Sequence, residues 1–422
     1  MVPKPFAIIG SLIMLLAIAA GSFAGGYVAG RAHAVPAGTA GTGPGQPGTE
    51  YAATPVEFDS DLGVFAEAWK LVRDEYYDRA RIDPRKMAYA AINGMISTLG
   101  DPHTLFSTPE QARISEDALK GSFEGIGVTV EMKDGKLVVV SPLPGSPSER
   151  AGIQPGDIIV EADGRDLAGL DLVQAITLIR GPRGTTVHLT IKRSSVPELL
   201  HLDVVRDEVR LVSVASRMLD GEVAYISIST FGANTADELK SELQTLLAKH
   251  PKGLVLDLRN NPGGLLGVAV DVASQFLSEG VVLYEQTADA ERQAFTVKGG
   301  GLATGIPMVV LVNKGSASAA EVVAGALQDH GRAKLVGERT YGKDTVQNIY
   351  QLSDQSSLRV TAARWYTPKA QDIHEKGLKP DLEVPTDQKG VEAGRDPQLE
   401  RAKQLLLDSQ RGVVSSVVAL AP

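Results

Sequence analysis

Between about residues 209 and 385, apolar runs of strand length alternate with helical stretches, and this constrains the chain more than any other feature. The runs are "VAYISIS", "GLVLDLR", "PMVVLVN", "AKLVGE" and "SLRVTAARWYT". Between them stand "ADELKSELQTLLAKH", "GVAVDVASQFL" and "ASAAEVVAGALQDHG". Buried strands alternating with helices indicate an α/β layer structure.

The segments around this core differ in pattern. Residues 119–208 hold the alternating strand "GIGVTVEM", the turn "KDGK", a second strand "LVVVSPL" and a short helix "SPSERAG". A strand and turn "DIIVEADGR", a helix "DLVQAITLIRG" and a closing strand "TTVHLTIKR" follow. Together they make a small α+β module. Residues 56–118 read as helical: "FAEAWKLVRDEYY" keeps its apolar residues roughly on one face, and Asp83-Pro84 starts a second helix. Residues 35–55 begin with a run rich in Gly, Pro and Thr and form a flexible linker. Residues 386–422 are a C-terminal helical tail.

At the N-terminus, residues 6–28 are uncharged and mostly apolar, between Lys4 and Arg31. The run is long enough to cross a bilayer. "RAHA", ending at Ala34, offers a small-x-small cleavage pattern. Residues 1–34 are therefore a signal peptide or a membrane anchor, and the length of the run favours the anchor. Either places the remainder outside the cytoplasm, in the periplasm or cell envelope. The chain has no cysteine, which excludes disulfides, thiolate catalysis and cysteine-ligated zinc. The formal net charge of -9 gives no basic patch for nucleic acid. No histidine pair has the spacing of a metal site, and no cofactor or metal is expected.

The stretch "NKGSASAAEVV" runs from a strand into a helix through two serines, Ser316 and Ser318. Unpaired N–H groups at a helix start attract negative charge. A serine at that junction thus has oxyanion donors in its own N–H and the next one, as acyl transfer requires. Serine also favours that place as an N-cap. The residues themselves do not choose between the two hydroxyls. "GERTYGKDTVQ" supplies Lys343 at the start of an extended segment, with Thr345 and Gln347 on the same face and Asp344 on the other. A buried lysine there would lose hydration and become a base for serine, with Gln347 orienting the amine. A carboxylate on Asp344 close to Lys343 would oppose that shift. "LDLRNNPGG" is a buried strand entering a Gly-rich loop, where backbone N–H groups can approach a ligand.

These three stretches, in this order, resemble the carboxy-terminal processing peptidases, or tail-specific proteases, over about residues 60–385. The resemblance implies Ser318 as nucleophile, Lys343 as general base and Gln347 as its support. It implies oxyanion donors at the N–H groups of Gly264 and Ala319, and leaves Ser316 as a turn residue. The implied fold of residues 209–385 is a layered α/β peptidase core of the ClpP/crotonase type. Asp344 stands where the family often has glycine, and Pro262 replaces another common glycine.

Residues 119–208 resemble a PDZ domain, through "EGIGV" and "AGIQPGDIIVEADGRDL". A peptide's terminal carboxylate would meet the N–H groups of Gly125, Ile126, Gly127 and Val128, and its side chains an apolar groove beside Leu172 to Ile179. Arg180, ending that helix, is a candidate for coupling tail binding to the active site, set against a plain exposed helix-end arginine. The expected function is therefore an exported serine endopeptidase acting near apolar, unstructured C-terminal tails. Its partners would be such proteins or peptides, and the membrane through residues 6–28; a homo-oligomer is left open. Two alternatives are a PDZ-bearing scaffold with an inactive hydrolase-like core, and a crotonase-like acyl-CoA enzyme.

Overall fold

The computed structural model of the 422-residue chain describes residues 60–410, except 289, 290, 388, 389 and 391–394. The apolar run 6–28 and the whole linker 35–55 lie outside the described residues. Among the described residues no helix is long and apolar enough to cross a membrane.

The alternating runs form a six-stranded sheet in the order Val214–Leu219, Val223–Ile228, Gly253–Asp257, Met308–Val312, Lys334–Gly337, Leu382–Glu383. The first pair is antiparallel and the other neighbours are parallel. Gly253–Asp257 and Met308–Val312 are buried at every position, because helices cover both faces of such a sheet. Leu254, Leu256, Val310 and Val312 join a core shared with Leu239, Ala269 and Val323 of three helices, Thr235–Leu247, Leu266–Ala273 and Ala319–Asp329. Val255, Val309 and Leu311 face the other way, against Leu399, Ala402 and Leu406 of helix Pro397–Gln410. The tail helix thus completes the sheet's second face. The parallel strands end on one edge, where sites of open α/β sheets form. Segments 258–265, 313–318 and 338–344 all leave from that edge.

A second sheet carries the lysine segment. Thr345–Gln351 pairs antiparallel with Ser357–Tyr366, which also pairs with Val281–Thr287 and with Leu105–Ser107. The last strand comes from the N-terminal region, so that region is stitched into the core. Helix Pro84–Ser97 starts where the sequence indicates: the Asp83 carboxylate accepts the N–H groups of Arg85 and Lys86 at 3.0 and 3.1 Å.

Strands Val128–Lys133 and Lys136–Pro142 form the expected hairpin, with Asp134 and Gly135 at φ of 51° and 68° in its turn. They belong to a sheet with Ile158–Ala162, Thr186–Lys192 and Leu200–Val205 around Ile126, Val139, Ile159 and Leu189. The closing strand is Leu200–Val205, not "TTVHLTIKR". Its inward Leu200, Leu202 and Val204 alternate weakly behind a turn and are easily missed. A ribbon of Ser122–Gly125 and Asp207–Arg210 joins the chain's entry to and exit from the module.

Candidate active site

Ser318 stands between strand Met308–Val312 and helix Ala319–Asp329, with φ 53° and ψ -115°. A non-glycine residue rarely adopts that backbone, and strain of this kind must be held by its surroundings. Two stitches hold it. The Ala317 N–H donates to the Asn261 carbonyl at 2.9 Å, and the Ser318 N–H donates to Glu321 Oε2 at 2.8 Å. The second is a correction: the serine's own N–H is engaged and is not an oxyanion donor here. Ser316 is fully buried. Its hydroxyl donates to the Leu258 carbonyl at 2.8 Å and accepts the Asn313 N–H at 3.0 Å.

The Gly-rich loop lies against this junction. A Cβ on Gly263 would come within 3.0 Å of the Ala319 nitrogen and 2.9 Å of Ser318 Cβ. Gly264, at φ 149°, would put a Cβ 2.3 Å from the Phe231 carbonyl oxygen. Only glycine fits there. The Phe231 N–H donates to the Gly263 carbonyl, and the Leu265 N–H donates to the Phe231 carbonyl. This pairing does not use the Gly264 N–H. Asn261 braces the loop, donating to the Ile228 carbonyl at 2.7 Å and accepting the Gly263 N–H at 2.8 Å.

Lys343 is 3% exposed, and its Nζ has no hydrogen-bond partner among the described residues. Burial lowers its pKa to about 8; the Arg359 charge adds to the shift, and Asp101 and Glu321 oppose it. Asp344 is turned away: its Oδ1 lies 2.7 Å from His374 Nδ1 and its Oδ2 3.8 Å from Arg364 Nη1. Gln347 does not hold the amine, in contrast to the sequence reading. Its Nε2 donates to the hydroxyls of Thr345 and Thr361 at 2.8 and 3.1 Å, and its buried Oε1 is without a partner, as is Lys343 Nζ. Nor does a hydrogen bond join Lys343 Nζ to Ser318. Such contacts are commonly loose without substrate.

The sequence matches the model of Peptidase family S41 over residues 222–384 and that of a PDZ domain over residues 138–193. The carboxy-terminal processing protease CtpA of Bacillus subtilis (strain 168) is 37% identical over 334 residues, covering 77% of this chain and 69% of that protein. The chain belongs to peptidase family S41. The carboxy-terminal-processing protease of Bartonella bacilliformis is 38% identical over 328 residues, 76% of this chain and 75% of that one. A solved structure of a candidate S41 protease from Bacteroides fragilis covers 82% of this chain and 97% of its own, with TM-score 0.50 and 17% identity, and so shares the fold. This S41 chain is a C-terminal processing serine protease with a PDZ domain.

Sequence reasoning missed two parts of the S41 site. The first is Glu321, fully buried in the first turn of the helix after Ser318. Its carboxylate accepts the N–H groups of Ser318, Gly342 and Lys343 and the Thr340 hydroxyl. Burial raises its pKa to about 7, against those bonds. The S-x-x-E spacing, Ser318 to Glu321, was the available signal. The second is "GDPHT", residues 100–104. Asp101 accepts the His103 N–H and the Thr104 hydroxyl at 2.9 and 2.7 Å, and Thr104 Oγ1 accepts the Thr361 N–H at 3.1 Å. This series reaches Gln347 through Thr361. His103 lies within electrostatic reach of Lys343: burial lowers its pKa first, and the Lys343 charge next. Among the other histidines, His330 Nε2 donates to the Val281 carbonyl, 2.7 Å away.

In the module that carries the PDZ match, the Ile126 and Gly127 carbonyls accept the Ser148 and Leu143 N–H groups, both at 2.8 Å, and this fixes the "EGIGV" loop. Val128 opens strand Val128–Lys133, and it packs against the same core as Leu172 and Ile176 of helix Leu172–Ile179, all three partly buried. Arg180 is not a plain exposed arginine. Its Nη1 lies 2.7 Å from Asp117 Oδ2, and its guanidinium covers the Phe123 ring at 4.3 Å. It thereby ties the end of the groove helix to helix Pro109–Lys120 outside the domain.

Proposed function

We propose that Ser318 and Lys343 carry out the peptidase reaction as nucleophile and general base. The observation that carries this reading is Lys343 itself: a buried, unpaired amine with a pKa of about 8, on a segment whose N–H shares Glu321 with that of Ser318. A lysine tuned this way can be neutral at working pH, as a base must be. Ser318 Oγ attacks the scissile carbonyl carbon while its proton passes to Lys343. The oxyanion is met by the Gly264 and Ala319 N–H groups. Collapse expels the amine, which takes the proton from Lys343 and leaves an ester on Ser318. Lys343 then deprotonates water, which attacks the ester and releases the new C-terminal carboxylate and Ser318. Gln347 turns its free Oε1 to the ammonium during these steps.

The PDZ loop Gly125–Val128 takes the substrate's C-terminal carboxylate, the groove beside Leu172 and Ile176 takes its apolar side chains, and Arg180 passes occupancy towards the core. The core is of the crotonase type. Residues 6–28 tether the enzyme outside the cytoplasm. The test is incubation with an unfolded protein ending in an apolar tail, with products mapped by mass spectrometry. Cuts near that tail, lost in Ser318→Ala and Lys343→Ala, are expected. Full cleavage by either variant would refute the dyad, and a cleavage-dead wild type would favour a scaffold.

A further inference from the structure

Two oxygens of one buried carboxylate receive main-chain donors from both sides of the site. Glu321 Oε2 accepts the Ser318 N–H at 2.8 Å and the Lys343 N–H at 2.9 Å. Oε1 accepts the Gly342 N–H at 2.7 Å and the Thr340 hydroxyl. Thr340 in turn accepts the Leu378 N–H at 2.6 Å. The nucleophile turn and the lysine segment lie 25 positions apart in sequence. They leave from neighbouring paired strands, Met308–Val312 and Lys334–Gly337, and the Tyr341 N–H donates to the Ser316 carbonyl at 3.0 Å; further out, at Ser318 and Lys343 themselves, the two backbones meet on Glu321. We propose that Glu321 is a positioning residue: it holds the Ser318 and Lys343 backbones in register and sets its carboxylate against the segment that carries Lys343. This rests on the dyad reading of the preceding subsection.

Three features argue for this over a plain helix cap. An N-cap partner needs one backbone donor, whereas Glu321 takes three and a hydroxyl. Engaging the Ser318 N–H also holds that residue at φ 53° and leaves the Ala319 N–H as the helix's donor to an oxyanion. Finally, a carboxylate desolvated in this way is destabilised unless its bonds repay the loss, and four donors aimed at two oxygens are all met only by a carboxylate, not by a glutamine amide. The charged and titratable groups around Lys343 are Arg359 on strand Ser357–Tyr366, Asp101 and His103 before strand Leu105–Ser107, and Glu321 on the nucleophile helix. Arg359 favours the neutral amine, whereas Asp101 and Glu321 favour the ammonium.

Two variants separate reach from charge. Glu321→Gln keeps the length but loses the charge and puts an NH2 group against two N–H donors. Its kcat on an unfolded protein substrate should fall about a hundredfold, as expected for sub-ångström misplacement of reacting groups, with KM little changed. The acidic limb of its kcat/KM profile should move to lower pH, since Lys343 loses a negative neighbour. Glu321→Asp keeps the charge but withdraws it by one methylene, so kcat should fall while the limb stays in place. Wild-type kcat in both variants, or equal limbs in Glu321→Gln and wild type, would overturn the proposal. Ser318→Ala and Lys343→Ala are run beside them. If either of these keeps full activity, the dyad reading itself fails; if both are dead and Glu321→Gln is not, only the positioning role falls.

Discussion

His374 Nδ1 lies 2.7 Å from Asp344 Oδ1, and Asp344 is 2% exposed. This contact answers a question the sequence raises, because Asp344 is the immediate neighbour of the base. The carboxylate pairs with His374 and Arg364 on the far side of the segment. It is not among the charges that act on Lys343.

Asp344→Asn should therefore leave the acidic limb of kcat/KM within about 0.3 pH unit of wild type, against a full unit for a charge in direct contact. It should lower stability, by about 1–3 kcal/mol, as a buried ionic hydrogen bond is weakened. A pH–rate profile and a urea titration read the two effects separately. A limb that shifts downward by a unit would show that Asp344 does reach the lysine.

The two serines should part in the same assay. Ser318→Ala should remove cleavage while leaving the melting temperature near that of wild type. Ser316→Ala strands the Asn313 N–H and the Leu258 carbonyl in the interior. It should cost about 1–3 kcal/mol in stability and keep most of the activity at temperatures where it is folded. Loss of activity in the Ser316 variant alone, with its fold intact, would exchange the two roles.

Much of this was legible in the sequence because it depends on local pattern. Strand Met308–Val312 is apolar throughout and strand Gly253–Asp257 is apolar up to its terminal aspartate, and both are buried on both faces. The glycines of "NNPGG" announce a close backbone approach, which the Gly264–Phe231 contact requires. What stayed hidden depends on partners far apart in the chain. Asp101 reaches Gln347 through Thr361, and nothing in "GDPHT" names that distant partner. The match of Glu321 to the Gly342 and Lys343 N–H groups is likewise a property of the assembled sheets, since a helix cap predicts only the Ser318 bond. Strand Leu200–Val205 escaped because half of its residues face solvent behind a turn rich in polar residues.

The PDZ loop should matter for tails and not for the chemistry. Gly127 has φ 71°, and a Cβ there would come 2.4 Å from Ser146 Cβ. Gly127→Ala must displace the loop that would hold a terminal carboxylate. It should raise KM for a protein with an apolar C-terminal tail about tenfold or more, a loss of at least about 1.4 kcal/mol in binding. Cleavage of a short peptide with an amidated end should be unchanged. Competition with free tail peptides would show the same contrast, and equal losses on both substrates would place the loop's role elsewhere.

The tuning of Lys343 should also be visible without substrate. Its pKa falls from 10.5 to about 8 on folding. Between these values the unfolded chain holds a proton that the folded one has released, so stability from this group rises with pH from 8 to 10.5 and is lost as pH falls through 8. Below pH 8 the buried amine must be carried charged, at a cost of about 3 kcal/mol. Lys343→Met has a similar volume and no charge. It should therefore stabilise the protein by up to about 3 kcal/mol at pH 7, with the gain shrinking towards zero by pH 10.5. Urea titrations of the variant and of wild type at pH 7, 9 and 10.5 measure that difference directly. A gain that is absent at pH 7, or that does not decline with pH, would mean the lysine is hydrated in the folded protein and is not the tuned base.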